Sequence, residues 1–121
     1  MTSLVTNAGF ANATAAWHAY GSRPLYLDWG TGSGQGASDN ALAAAAGESR
    51  ATGTSSQQTT TVTSDTYQVT GTLTASTTRA ITEAALFDAS TSGNMDVYGD
   101  FSVVNLATND SIAFTFKVVL S

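Results

Sequence analysis

The sequence contains no cysteine, one proline, one histidine and only four basic side chains. Each scarcity removes a class of function. Without thiols there is no thiol nucleophile, no thiolate metal site and no disulfide framework. That agrees with synthesis in a reducing cytoplasm. Met1-Thr2-Ser3-Leu4 also lacks the cationic start and apolar run of a secretory signal. The cations Arg23, Arg50, Arg79 and Lys117 are scattered, and nine carboxylates bring the net charge to -5. Nucleic-acid binding needs a basic stripe that displaces counterions, and an anionic membrane needs a polybasic segment. Neither partner is expected. The Ala-rich run over residues 41–46 is far too short for a membrane span.

What is present is small and hydroxylated. The 121 residues suit one domain, which at this size buries roughly 65% of its unfolded surface. Hydrophobic residues make up 42% and charged residues 11%, well under the ~25% of an ordinary soluble domain. Polarity therefore comes from Thr, Ser and backbone. β-Branched Thr fits a pleated surface, and Gly and Ser supply tight connections. A surface poor in charge is weakly protected against association, so partners are expected to cover part of it.

Residues 1–23 read as an N-terminal arm, with Leu4, Val5, Phe10, Trp17 and Tyr20 as isolated apolar anchors. Trp17 and Tyr20 are too apolar to leave in water, so the arm is expected to dock on its own domain or on a neighbouring chain. Residues 24–121 read as the main domain. Pro24 opens a strand in which Leu25, Leu27 and Trp29 alternate with Tyr26 and Asp28. A glycine-rich loop follows, Gly30-Thr31-Gly32-Ser33-Gly34-Gln35-Gly36. Ser38-Asp39-Asn40 then offers caps for a short helix over residues 41–46, stopped by Gly47.

From Glu48 onward every signal is β. Residues 49–63 are expected to form a strand leading into a Ser64-Asp65 turn. Tyr67, Val69, Gly71, Leu73 and Ala75 share one face of the next strand and threonines the other, the pattern of a sheet with one wet side. Ala80 begins a strand apolar on both faces, with Ile81, Glu83, Ala85 and Phe87 on one side. Met95, Val97, Gly99, Phe101 and Val103 alternate with polar residues. Ile112, Phe114, Phe116, Val118 and Leu120 form the cleanest inward face. About six strands with turns every ~8–12 residues predict an antiparallel sandwich or barrel. Phe87, Phe101, Phe114, Phe116 and Leu120 are its expected core.

Candidate chemistry is thin. The glycine loop imitates a dinucleotide fingerprint, yet position 53, where an acidic residue should stand, is glycine, and no second parallel strand follows. Ser33 has Thr31 in place of the first glycine of a nucleophile elbow, and His18 is the sole imidazole. Asn94, Asp96 and Asp100 loosely match a calcium loop, but its closing Glu is missing. Glu83, if buried, needs a partner, and Arg79 is the nearest cation on its face. No catalytic residue, metal site or cofactor is expected.

Three segments nevertheless form a recognisable series. They are Pro24-Leu25-Tyr26-Leu27-Asp28-Trp29-Gly30-Thr31-Gly32 with the Ala-rich run; Arg79-Ala80-Ile81-Thr82-Glu83-Ala84-Ala85-Leu86-Phe87-Asp88 leading to Gly93-Asn94-Met95; and Asn109-Asp110-Ser111-Ile112 with a closing Phe114/Phe116/Val118 strand. In this order the chain resembles small structural proteins of tailed bacteriophages, especially head decoration (cement) proteins. The resemblance implies an all-β, jelly-roll-like antiparallel β-sandwich with one short helix and an N-terminal arm. It implies a homotrimer on the capsid surface of the virion that bridges major capsid proteins. The expected contacts are Phe10, Trp17, His18 and Tyr20 of the arm, and the loop from Trp29 through Gly32 and Gly34 to Gly36. A tail or tail-fibre component is the other reading, binding a receptor or carbohydrate on Trp29, Tyr26 and Tyr98.

Overall fold

A computed structural model describes residues 1–19 and 23–121. One helix and seven strands follow in order: α1 (Asn7–Ala19), β1 (Tyr26–Gly30), β2 (Ala51–Thr52), β3 (Thr54–Gln58), β4 (Thr66–Thr74), β5 (Arg79–Phe87), β6 (Met95–Leu106) and β7 (Ser111–Val119). They build two antiparallel sheets. Sheet A has the order β2-β1-β5-β6 and sheet B the order β3-β4-β7. The expected antiparallel β-sandwich is therefore the fold, with seven strands where about six were expected.

The core lies between the sheets. Leu27, Trp29, Ala84 and Leu86 of sheet A meet Tyr67, Val69 and Leu73 of sheet B, and all are buried. The alternation read in β4 holds from Tyr67 on, with Tyr67, Val69, Leu73 and Ala75 inward and Thr70, Thr72 and Thr74 exposed, but Thr66, expected on the wet face, is buried with its hydroxyl on Asp65. Burial of a Leu or Trp of this kind contributes roughly 2–3 kcal/mol against exposure. Tyr67 carries a phenol into the core, where its O–H donates to Pro24 O at 2.7 Å.

On one side the sandwich is closed. The chain leaves sheet A at β2 and enters sheet B at β3 through Gly53 alone. Gly53 N donates to Leu25 O at 2.8 Å. A Cβ on Gly53 would lie 2.8 Å from Leu27 Cδ1 and 3.0 Å from Leu25 O, so only glycine lets the sheets meet this closely. Gly71 of β4 approaches the Leu27 side chain in the same way, at 2.8 Å for a Cβ. Helix α1 completes the closure. Trp17 packs edge-on to Tyr67 with centroids 5.3 Å apart, and the Thr14 hydroxyl donates to Ser64 O at 2.6 Å. Gln57 of β3 reaches back to Ala11 O and Thr14 Oγ1. The arm thus docks on its own domain.

Four sequence expectations change. The helix predicted over residues 41–46 does not form, and the helix stands in the arm instead. Thr6 caps α1, its Oγ1 accepting from Gly9 N at 3.2 Å. The Ala run forms bends and one bridge instead of a helix because its backbone groups are taken elsewhere: Thr31 N donates to Ala44 O at 2.8 Å and Ala46 N to Trp29 O at 3.0 Å. Tertiary partners override helix propensity there. The strand predicted over residues 49–63 breaks at Gly53 and ends at Gln58. Beyond it Asp65 gathers the loop, accepting from the backbone N–H groups of Thr60, Thr61 and Val62 at 2.9–3.1 Å.

In β5 and β6 a register shift between Ile81 and Glu83 separates two residues that strict alternation places together. Ile81 joins the core, while Glu83 turns to the loop outside sheet A. Two extra β6 residues set Val104 rather than Ser102 opposite Ile81, and Val103 is 52% exposed. Of the expected aromatic core only Phe87 is fully buried, and it lies under Arg50, whose guanidinium sits 3.6 Å from the ring centroid. Phe114 and Phe116 are half-buried; Phe101 and Leu120 are exposed. Replacing Gly53 with Ala should lower unfolding free energy by about 1–3 kcal/mol through overpacking. Urea denaturation of G53A beside the parent checks this, and an unchanged midpoint would show that the crossing is not tight.

Candidate interaction surface

The buried polar groups deserve inspection first, since catalytic chemistry would reside there. Glu83 is fully buried, and its carboxylate is saturated. It accepts from Gly32 N at 3.2 Å, Ala43 N at 3.1 Å, Ala44 N at 2.9 Å and the Tyr98 hydroxyl at 2.9 Å. Burial pushes its pKa up, but these donors outweigh burial and hold it below the ordinary value. Tyr98 responds oppositely, pushed up to about 12 by burial and by its bond to the carboxylate. Arg79, the partner expected for Glu83, pairs instead with Glu48 at 2.9 Å. Glu83 therefore pins the glycine loop to sheet A without a cation.

Glu48 performs a second pinning. It accepts from Trp29 Nε1 at 2.8 Å, from Ser76 Oγ at 2.6 Å and from Arg79 Nε at 3.1 Å. Burial opposes ionisation, yet these donors bring its pKa down to about 2. Arg50 lies 3.5 Å from Asp28 and donates to Ala89 O and Ser92 O, tying residues 31–50 to the loop between β5 and β6. Asp28 is raised, chiefly by burial, against the pull of Trp29 N and Arg50. Each of these carboxylates is occupied by donors of the protein itself, backbone N–H groups at Glu83 and mainly side chains at Glu48.

The expected contact residues are dispersed. Trp29 is 0% exposed with its indole N–H bound, so it offers neither a contact nor a stacking face. Tyr98 is half-buried with its hydroxyl on Glu83. Gly32 lies against residues 43 and 44, where a Cβ would meet Ala43 Cβ at 2.6 Å; its role is to let the loop lie down. Gly34, with φ +84°, is exposed and donates to Asp100 Oδ2 at 3.0 Å. Phe10 and Trp17 are half-buried on α1. His18 is exposed, with Nδ1 2.8 Å from Ser55 Oγ. Tyr20 lies outside the described residues. Asn94 donates to Asp88 at 2.7 Å and does not converge with Asp96 and Asp100, so the calcium-like spacing gathers no ligand set. Among the described residues no three His, Asp or Glu side chains cluster as metal ligands.

One surface was missed by sequence reasoning. β6 and β7 are the last strands of sheets A and B on the same side of the sandwich, and neither has a partner beyond it among the described residues. Between them lies an apolar groove of about 340 Å³, lined by Phe101, Val104, Ile112, Phe114 and Phe116. Phe114 stacks on Phe116 at 5.9 Å and lies 6.2 Å from Phe101. The clean alternation of β7 was the available signal, but alternation marks which side chains share a face and not whether a second layer covers them. A second apolar surface is the N-terminal segment, where Leu4 and Val5 are 80% and 59% exposed. The sequence matches no protein-family model, and comparisons with curated proteins and with solved structures give no match either.

The buried carboxylates make a pH prediction. Glu48 has its ordinary value of 4.5 when unfolded and about 2 when folded, so the unfolded chain binds the extra proton between them. Its stabilisation is complete above about pH 4.5 and is lost as pH falls toward about 2. Glu83, also lowered, adds in the same direction. Asp28, raised by burial, works against them: protonating it as pH falls relieves a penalty. The expected net result is acid destabilisation that is shallower in Glu48→Gln. Thermal melts from pH 7 to pH 2 measure it, and identical slopes for E48Q and parent would contradict it. Glu83→Gln should cost about 2–3 kcal/mol at neutral pH, since the amide leaves buried N–H donors unpaired; a melt equal to the parent's would show the loop is held otherwise.

Proposed function

We propose that the chain is a structural assembly subunit, a decoration protein that binds the outside of a tailed-phage capsid and strengthens its lattice by bridging major capsid proteins. The observation that carries this reading is apolar surface left uncovered in two separate places, the β6/β7 edge and the N-terminal segment. Soluble single domains rarely leave such surface without a partner. The sequence resemblance supplies the kind of partner. Contact rather than chemistry accords with the buried carboxylates being engaged by donors of the protein itself.

Cement action is linkage. A subunit that binds the assembled lattice, and not its dispersed components, shifts the equilibrium toward the lattice by RT ln(1 + [L]/Kd). Several weak contacts on one oligomer add through effective concentration. In this reading Leu4 and Val5 contact the shell, while Trp17 holds α1 to the domain and acts on binding only through that position.

The test follows from this division. Purified particles should carry the protein on heads, in a copy number commensurate with the capsid lattice; label confined to tails, or none on particles, contradicts the assignment. Leu4→Asp with Val5→Asp should melt like the parent yet lose occupancy of capsids. Full occupancy by that variant would remove the N-terminal segment from the contact.

A further inference from the structure

The open side presents more than apolar side chains. β6 and β7 each expose an unpaired row of backbone N–H and C=O groups, which is a template for another strand. Neither strand carries proline, and β6 carries no lysine, so two usual protections of an edge are missing from β6. We propose that this side joins copies of the chain to one another, β6 of one copy adding antiparallel to β7 of the next.

Face and charge select this pairing. Asp100 lies opposite Glu83 and so stands on the outer face of sheet A, and Asp96, the extra residue at a register shift, lines the same outer side with Gln35 and Tyr98. Lys117 lies opposite Gln68, on the outer face of sheet B. A rotation about an axis parallel to the strands brings sheet A of one copy level with sheet B of its neighbour. Outer faces then continue into outer faces, and the apolar inner faces do likewise. Antiparallel alignment sets the start of β6, with Asp96 and Asp100, beside the end of β7, with Lys117. Arg50 and Arg79 are spent in ion pairs and Arg23 donates to His18 O. Lys117 makes no ion pair or hydrogen bond among the described residues and is exposed.

β6 carries two register shifts, one at Asp96 and one between Asp100 and Val104, and between them residues 97–100 form a regular edge that presents Asp100. Pairing β6 to β6 would instead oppose carboxylates along a short edge with no cation, which is unfavourable. In the β6-to-β7 arrangement Phe101, Val104, Phe114 and Phe116 of adjoining copies come together and leave water. The proposal goes beyond the capsid reading and does not rest on it: a self-associating chain that never binds heads, or a head protein that stays monomeric, separates the two.

The whole chain is tested by native mass spectrometry and light scattering. A closed ring of two or three copies is expected, with Lys117→Glu raising its dissociation constant about tenfold or more. Combining K117E with Asp96→Lys and Asp100→Lys should restore association. Because the protein has no cysteine, single thiols report the pairing directly. Asp100→Cys mixed with Lys117→Cys should give the mixed disulfide on mild oxidation, with little self-linkage of either alone. A monomer from micromolar to millimolar concentration, an oligomer indifferent to K117E, or D100C linking preferentially to itself would each overturn the proposal. Unchanged thermal unfolding of the monomeric variants separates loss of association from loss of fold.

Discussion

The two sheets are pinned along one side and free along the other, and most features of the protein depend on that asymmetry. At the pinned side Gly53 and Gly71 bring backbone against Leu27 with no room for a Cβ, and α1 closes over Tyr67. Close packing of this kind is sensitive to a single methyl group. At the free side sheet A ends at β6 and sheet B at β7, and the aromatic residues between them have a lining on one side only. A sandwich with four strands in one sheet and three in the other has finished one flank and left the other available.

The second organising device is the buried carboxylate that holds backbone. Residues 31–50 have almost no regular structure, yet they lie firmly on sheet A because Glu83 accepts from their N–H groups and Glu48, itself in the segment, accepts from Trp29, Ser76 and Arg79. An ionised acceptor bound by several N–H donors makes stronger bonds than neutral pairs do. The arrangement fastens a glycine- and alanine-rich loop that has few side chains with which to pack. It also explains why the loop imitates a phosphate-binding motif in sequence: its glycines allow close approach, but to the protein's own strands and carboxylates.

Much of the fold was legible. Strict alternation identified β4, the apolar character of both faces identified β5 as internal, and the turns read at 88–94 and 105–110 mark chain reversals, although β6 runs on to Leu106. The misplacement of the helix came from local propensity: residues 41–46 look helical, but Glu83, fixed far away in sequence, claims the N–H groups of Ala43 and Ala44. Nothing in the local sequence announces a partner 40 residues away. The contact site was less legible for a related reason. Trp29 reads as a conspicuous aromatic beside a loop, yet its indole N–H has a buried acceptor in Glu48 that allows complete burial. Phe101 and Phe114 read as core, and their exposure follows from sheet width, which periodicity does not encode.

The β6/β7 flank is the proposed surface for assembly. Amide hydrogen exchange across a dilution series addresses it residue by residue. Amides in residues 95–100 and 113–119 pointing away from β5 and β4 should exchange quickly at low concentration and become protected as concentration rises, while amides of β4 and β5 stay constant. Exchange at β6 and β7 that is fast and independent of concentration would contradict it.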